Sequence, residues 1–297
     1  MSVEPMGVEP SSAALSSQVL ITARGLCIDY ALASGVLRAV DDVSFDLSAR
    51  EVLGIAGESG SGKSSVALAL LGLLDGCGSR IRGSIDFCGQ ELTGLDEAGW
   101  QGLRGRRIGA VFQAPRECFN PAMTIGRHFE EVLREHFGLP RQLAAARTLE
   151  ALDRVRMPRA REVAASYSFE LSGGMCQRAA LALALILEPA VLIADEPTAS
   201  LDLLAQVEIA RLLAELRAER GLAMLLISHD LGLIGRLTDR VAIMRRGRIV
   251  ETGPTARLFR SPGEAYSREL LASCMPLDAL QSAPAVPQSA AEPGSVA

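Results

Sequence analysis

Short apolar runs recur along the chain, and each leads directly into a cluster of polar residues. Four of these runs have the length and composition of buried strands: residues 52–56, 108–112, 191–194 and 223–227. Between them, apolar residues recur at helical spacing over 129–137, 143–155, 175–187 and 205–216. Strands that alternate with helices predict a mostly parallel sheet covered by helices. Ligands collect at the carboxyl ends of the strands in such sheets, which is where the polar clusters lie.

The two ends of the chain lack this pattern. Residues 1–18 and 276–297 are rich in Ser, Ala, Pro and Glu and are predicted to be disordered tails. No membrane span is expected, because the longest apolar runs are about nine residues and a spanning helix needs ~20. The acidic start, whose first basic residue is Arg24, lacks the charged region of a secretory signal. We therefore expect a cytoplasmic protein.

A phosphate-binding loop is predicted between the strand at 52–56 and the helical run that starts at Ser65. Its residues fit the pattern G-x-x-x-x-G-K-[ST] and are Gly57, Glu58, Ser59, Gly60, Ser61, Gly62, Lys63 and Ser64. Glycines let backbone N–H groups turn around a phosphate, and the helix start adds a partial positive charge. Lys63 supplies an ammonium for the β- and γ-phosphates, and the Ser64 hydroxyl is a Mg²⁺ ligand. The alternative is a plain Gly/Ser-rich turn before a helix, which the strand–loop–helix context disfavours.

Acidic and imidazole side chains follow two of the other predicted strands. Asp195 is placed to hold Mg²⁺, and Glu196 is placed to polarise the attacking water as a general base. His229 follows the strand at 223–227, where an imidazole can donate a hydrogen bond to a γ-phosphate. The alternatives are solvated acids at a strand end and a capping or surface histidine. His128, in a charged helical stretch without ligand spacing, is expected at the surface.

Composition narrows the possible functions. The chain has 297 residues, of which 48% are hydrophobic and 4% aromatic. It can therefore form a large core but not an aromatic-lined carbohydrate or RNA platform. The net charge of −5 argues against nucleic acid as the main partner. Six scattered cysteines without a C-x-x-C pair indicate neither a disulfide framework nor a zinc site. Lys63 is the only lysine among 30 basic residues, as expected where a compact ammonium is required.

A further motif completes an ordered set. It is Leu171-Ser172-Gly173-Gly174-Met175, and it stands with the phosphate loop, Asp195-Glu196, Ser200-Leu201-Asp202 and His229. In this order the motifs resemble those of the ATP-binding subunit of an ABC transporter, over roughly residues 20–272. The resemblance implies an α/β P-loop NTPase fold, with an ABC-type ATPase core over 19–275. It also implies an inserted helical subdomain over about 114–187, a small antiparallel N-terminal sheet, and ATP and Mg²⁺ as cofactors.

The same resemblance assigns roles to five residues outside the loop and the acidic pair. Ser172 and the amides of Gly173 and Gly174 form an anion site that faces the γ-phosphate bound to the opposite subunit, so hydrolysis needs a dimer. Asp202 matches the loop that crosses the dimer interface. Gln113 matches the loop that senses Mg²⁺ and the attacking water and that links to the membrane partner.

Two residues are expected at the edge of the nucleotide site. Tyr30 stands where the family places an aromatic ring against adenine, and the alternative is an ordinary strand tyrosine. Ser65 follows the loop in place of the family's common threonine. The serine at position 65 departs from the family pattern without touching the hydrolytic residues.

Three features resemble the oligopeptide, dipeptide and nickel importer branch of the family. They are Phe119-Asn120-Pro121, Met175 where most members carry glutamine, and a C-terminal run from Gly247 to Tyr266. A family-specific C-terminal segment is accordingly expected over about 246–275. Only Cys274 lies where this branch often has a Cys-rich tail, so no iron–sulfur cluster is expected.

The favoured function is the ATP-hydrolysing subunit of an ABC importer that takes up peptides, nickel or metallophores. Its expected partners are permease subunits, a second ATP-binding subunit and, indirectly, a solute-binding protein, with a heterodimer favoured over a homodimer. The expected location is the cytoplasmic face of the inner or plasma membrane. One alternative is a non-transport ABC ATPase acting on nucleic acid or ribosomes, which the acidic charge disfavours. Another is a nucleotide-binding regulator, which the intact catalytic motifs disfavour.

Overall fold

The computed structural model describes residues 18–74 and 78–274. Apart from Gln18, the two predicted tails lie outside these residues. Cys77 also lies outside them.

The described residues form strands in two sheets. The strands are β1 (Val19–Leu32), β2 (Gly35–Ser48), β3 (Val52–Ala56), β4 (Ser79–Phe87), β5 (Gln90–Glu91), β6 (Ile108–Val111), β7 (Val191–Asp195), β8 (Ala223–Ser228), β9 (Arg240–Arg245) and β10 (Arg248–Pro254). The helices between them are α1 (Lys63–Leu70), α2 (Glu97–Leu103), α3 (Ile125–Phe137), α4 (Arg141–Arg154), α5 (Ala160–Ala165), α6 (Gly173–Leu185), α7 (Leu203–Arg220), α8 (Leu231–Leu237), α9 (Thr255–Arg260) and α10 (Ala265–Cys274).

The larger sheet has the strand order β10-β9-β3-β8-β7-β6. Five of its strands run parallel, and β10 pairs antiparallel with β9 at one edge. The pairing places Ala56 opposite Ser228 and Asp195 opposite Ile227, so the parallel strands end at the same edge. The predicted, mostly parallel sheet is therefore confirmed, and the polar clusters that follow its strands meet at one edge.

Both faces of this sheet are buried. Ile55, Ile193 and Leu225 pack into a core beneath the smaller sheet, whereas Leu192 and Leu226 pack into a second core beneath the helices. A strand covered on both sides needs apolar residues at consecutive positions rather than at alternate ones. This is why these strands are recognisable in the sequence as continuous apolar runs.

The smaller sheet is antiparallel, with the strand order β2-β1-β4-β5. The long hairpin of β1 and β2 places Tyr30 opposite Leu37, and β4 places Ser79 opposite Tyr30 on the other side. The small N-terminal antiparallel sheet expected from the resemblance is confirmed. It carries Tyr30 to the neighbourhood of the phosphate loop.

Helices α3 to α6 lie between β6 and β7. The apolar face of α3 consists of Ile125, Phe129 and Leu133, one turn apart, and Gly138 ends the helix in the left-handed conformation with φ 62°. Short 3₁₀ turns at Pro115–Cys118 and Ser168–Glu170 flank this group of helices. That the segment of about 114–187 is a helical subdomain inserted in the ATPase core stays a prediction.

The last described elements are β10, the edge strand of the larger sheet, and the two helices α9 and α10 that follow it. Nowhere in residues 18–74 and 78–274 does a helix combine the length and apolar character that a membrane crossing demands.

Candidate functional site

The loop after β3 has a shape that only glycine permits at two positions. Gly57 and Gly62 have φ values of 156° and 102°. A Cβ atom on Gly57 would overlap the carbonyl oxygen of Met244, and one on Gly62 would overlap the carbonyl oxygen of Ala39. The backbone therefore approaches its neighbours so closely that the turn into α1 depends on the missing side chains.

Lys63, the first residue of α1, is held inside this loop. Its Nζ donates hydrogen bonds to the carbonyl oxygens of Gly57 at 2.8 Å and Glu58 at 2.9 Å, and the residue is only 6% exposed. Burial lowers the pKa of the ammonium, while the negative charges of Glu196 and Asp195 oppose that effect. An ammonium has three donors, so one remains for a ligand while the other two bond the loop.

Asp195, at the end of β7, is a buried carboxylate with an oxygen to spare. Burial raises its pKa, and hydrogen bonding to the Ser64 hydroxyl and the charge of Lys63 oppose this. Within the described part of the chain, its Oδ1 atom has no hydrogen-bond partner. An unpaired buried oxygen is costly unless a donor or a cation uses it. Ser64 and Asp195 are oxygen ligands of the kind that Mg²⁺ prefers, so these residues fit that ion.

Glu196 follows Asp195 and is fixed by three hydrogen bonds. Its Oε1 accepts from the backbone N–H of His229 at 3.0 Å and from the ring Nδ1 at 2.7 Å, and its Oε2 accepts from the Ser228 hydroxyl at 3.3 Å. The residue is buried and has a φ of 51°, which is rare for a residue other than glycine. Strained, buried and oriented carboxylates concentrate at functional sites.

The contact with Glu196 sets the tautomer of His229. Because Nδ1 meets a carboxylate, that nitrogen carries a proton, and in the neutral ring Nε2 is then an acceptor. The side chain is 57% exposed. The expected hydrogen bond from His229 to a γ-phosphate therefore requires the imidazolium form, in which both nitrogens donate.

Ser172 and Asp202 cap two helices that lie side by side. The Ser172 hydroxyl accepts from the Met175 amide at 3.3 Å at the start of α6, and the Asp202 side chain accepts from the Ala205 amide at 2.9 Å at the start of α7. Both residues line the same surface cavity. Gly173 and Gly174 are half-buried, and a Cβ on Gly174 would press on Ala205.

These capped helix starts are separate from the Lys63 loop. No hydrogen bond in residues 18–74 and 78–274 joins Ser172 or Asp202 to the loop. The structure thus brings together the loop, the acidic pair and the imidazole of His229. The second predicted anion site, at Ser172, is not part of this group.

The remaining predicted residues lie around the loop. The Tyr30 hydroxyl donates to the Ser65 hydroxyl at 3.0 Å, which brings the half-buried ring to the side of α1. Gln113 is exposed and follows β6 at the sheet edge where the other strands end. Within the loop, Ser59 and Gly60 are exposed. Ser61 is buried, and its carbonyl accepts from the amide of Gly247 at 2.9 Å.

One contact, which was not predicted from the sequence, joins the region after Gln113 to the second anion site. Arg116 Nη2 donates to the carbonyl oxygen of Leu171 at 2.5 Å, one residue before Ser172. The same guanidinium partly offsets the effect of burial, which raises the pKa of the Cys176 thiol. The pairing spans 55 positions, and no local pattern in the sequence signals it.

The fold and site define a P-loop nucleotide-binding protein. Its loop depends on glycines, its lysine is buried, and two adjacent acidic residues stand at the end of β7. The sequence pattern of the ABC transporter family matches residues 40–199. A putative peptide import ATP-binding protein of Brucella abortus (strain 2308) is 44% identical over 280 residues, which cover 94% of this chain and 84% of that protein. The chain belongs to the ABC transporter family. The predicted family and the enzyme class, an ABC-type ATPase, are confirmed.

Two further proteins extend the comparison. The oligopeptide transport ATP-binding protein OppD of Haemophilus influenzae is 42% identical over 259 residues, covering 87% of this chain and 80% of OppD. The dimeric bacterial ABC transporter cassette MJ0796 superposes with a TM-score of 0.71 at 26% identity, covering 80% of this chain and 99% of the cassette. MJ0796 has also been solved as a dimer in a post-hydrolysis state bound to ADP and Pi. The fold class expected from the sequence is confirmed.

Proposed function

We propose that this chain hydrolyses ATP to drive the import of peptides across a membrane. The observation that carries the proposal is the juxtaposition of three groups at one sheet edge: Lys63, the fixed Glu196 carboxylate, and the Asp195 carboxylate oxygen that has no hydrogen-bond partner among the described residues. The cargo is drawn from the relatives, whose names specify peptide or oligopeptide import. Nickel or metallophore uptake has only short sequence stretches in its favour.

The triphosphate of ATP would lie on the backbone amides of residues 60–64, with the Lys63 ammonium between the β- and γ-phosphates. Ser64 and Asp195, with Gln113, would hold Mg²⁺, which would neutralise charge on the phosphates. Glu196 accepts a proton from the attacking water, and its contacts with His229 keep it in position for this step. Catalysis by this site is thus positioning together with charge stabilisation.

A second ATP-binding subunit would complete the site. Ser172 and Asp202 are solvent-exposed and, within the described residues, make no hydrogen bond to the chain's own loop, so they are available to a partner. The MJ0796 cassette is a dimer, which supports this arrangement. Permease subunits would bind the helices of 114–187 at the cytoplasmic face of the membrane, and a solute-binding protein would deliver the cargo. A heterodimer fits the branch that the sequence motifs resemble.

Uptake measurements in cells that lack this chain test the proposal. Deletion should abolish uptake of radiolabelled di- to pentapeptides, and the wild-type chain should restore it. Glu196→Gln should fail to restore uptake, whereas Glu219→Gln, the same change at an exposed position of α7, should restore it. Unchanged peptide uptake in the deleted cells would contradict the peptide assignment. Loss of Ni²⁺ uptake alone would transfer the cargo to nickel.

A further inference from the structure

The C-terminal helix α10 reaches the phosphate loop through one tyrosine. The backbone N–H of Glu58 donates to the hydroxyl oxygen of Tyr266 at 3.4 Å, across 208 positions of the chain. The sequence motifs linked Tyr266 only to the importer branch. Its contact gives the C-terminal segment a direct connection to the nucleotide site.

The ring of Tyr266 is held firmly in place. The residue is 6% exposed and packs in the core beneath the helices, beside Leu270 and Leu271 of the same helix. The guanidinium of Arg245, at the end of β9, lies 4.4 Å from the ring centroid, a favourable cation–π distance. Burial raises the pKa of the phenol, so the hydroxyl stays protonated and uncharged at neutral pH.

The start of α10 is in turn fixed to β10. Glu251 accepts hydrogen bonds from the amides of Gly263 at 2.7 Å and Glu264 at 3.2 Å. Arg268 donates to the carbonyl oxygens of Pro262 and Gly263 at 3.1 Å and 2.7 Å. Tyr266 therefore reaches the loop from a helix whose start is held by these hydrogen bonds.

Glu58 stands between Tyr266 and Lys63. Its N–H bonds to Tyr266, and its carbonyl oxygen accepts from Lys63 Nζ at 2.9 Å. Two of the three ammonium donors of Lys63 bond loop carbonyls, so a nucleotide that binds Lys63 through both its β- and its γ-phosphate needs one donor beyond the free one and draws the ammonium away from a loop carbonyl. The loop then depends on anchors that do not involve Lys63. Tyr266 is one such anchor, and the bond from Gly247 to Ser61 is another.

We propose that Tyr266 is a positioning residue for the phosphate loop, which keeps Glu58 in place when Lys63 turns to the nucleotide. Through this contact, the C-terminal segment sets the nucleotide affinity of the chain. Tyr266 acts on the loop through the backbone of Glu58, so its effect is on nucleotide binding. The inference rests on the proposed function, because it presumes that this loop holds the triphosphate.

The test compares Tyr266→Phe with the matched change Tyr167→Phe in the full chain. Both variants delete one phenolic oxygen, but Tyr167 lies in the partly exposed segment before α6. Tyr266→Phe should weaken MgATP and MgADP binding about three- to tenfold by calorimetry, the worth of one neutral hydrogen bond. The nucleotide-induced rise in melting temperature should shrink with it. Tyr167→Phe should bind both nucleotides like the wild type.

The outcomes separate this inference from the proposed function. Wild-type affinity in Tyr266→Phe would overturn the positioning role, and so would a lowered nucleotide-free melting temperature with unchanged affinity, since that result describes a packing residue. Lys63→Ala is measured in parallel. If Lys63→Ala binds ATP normally, the loop is not the nucleotide site and the proposed function fails. If only Lys63→Ala loses binding, the inference about Tyr266 fails alone.

Discussion

Replacing Glu196 by glutamine separates catalysis from binding because the surrounding hydrogen bonds tolerate the change. The amide oxygen can keep both contacts with His229, and the amide NH₂ can donate to the Ser228 hydroxyl oxygen, which already accepts from the amide of Asp230 at 3.0 Å. The free energy of unfolding should therefore change by less than about 1 kcal/mol. What is lost is the proton acceptor, which is worth roughly 10²- to 10⁴-fold in rate.

This loss corresponds to about 3–5 kcal/mol of activation free energy, at 1.36 kcal/mol for each factor of ten. Steady-state phosphate release from the assembled transporter measures it, and calorimetry of the full chain should give the wild-type affinity for MgATP. Glu219→Gln serves as the control and should turn over normally. Wild-type turnover in Glu196→Gln would refute the assignment of Glu196 as the base. Loss of ATP binding in Glu196→Gln would contradict the claim that Glu196 acts in hydrolysis and that the loop alone binds the nucleotide.

Three other perturbations test the shape of the loop, the Arg116 contact and the protonation of Asp195 separately. Gly62→Ala should lose ATP binding and lower the free energy of unfolding in urea by about 1–3 kcal/mol, whereas Gly102→Ala, where a Cβ meets open space, should not. Arg116→Gln breaks the hydrogen bond to the Leu171 carbonyl, next to Ser172, and should reduce phosphate release by the assembled transporter several-fold with unchanged ATP affinity. Unaltered turnover would contradict a role for this hydrogen bond in positioning Ser172. Because burial raises the pKa of Asp195, its carboxyl is protonated at a higher pH than usual, and Mg²⁺-dependent ATP affinity should fall as pH is lowered. This fall in affinity should be missing in Asp195→Asn. If the fall persists in that variant, protonation of Asp195 does not cause it.

The sheet was predictable from the sequence because it is covered on both faces. The strand predicted at 52–56 is found as Val52–Ala56, and that predicted at 191–194 is found as Val191–Asp195. Helix starts were predicted two to four residues late. Apolar periodicity does not mark the first turn, which at α6 consists of glycines behind the Ser172 cap and at α7 follows the Asp202 cap.

Contacts between a side chain and a distant part of the backbone could not be predicted. Nothing local in the sequence pairs Arg116 with Leu171 or Tyr266 with Glu58, since each contact depends on how whole elements pack. The expectation that His128 is a plain surface residue was incomplete. Its Nε2 accepts from the amide of Asn120 at 2.8 Å and its Nδ1 bonds the Thr124 carbonyl at 2.8 Å, so the ring ties a loop to the start of α3.

We propose that a nucleotide's phosphates lie in the Lys63 loop and that a helix start of the second subunit, equivalent to the one that begins at Ser172, closes over them. An experimental structure of the Glu196→Gln chain, assembled with its partner subunit and MgATP, tests this most directly. We expect the triphosphate on the amides of residues 60–64, the metal ion between Ser64 and Asp195, and a Ser172-type helix start from the other subunit at the γ-phosphate. A nucleotide bound elsewhere, or a γ-phosphate that only one chain contacts, would contradict the account.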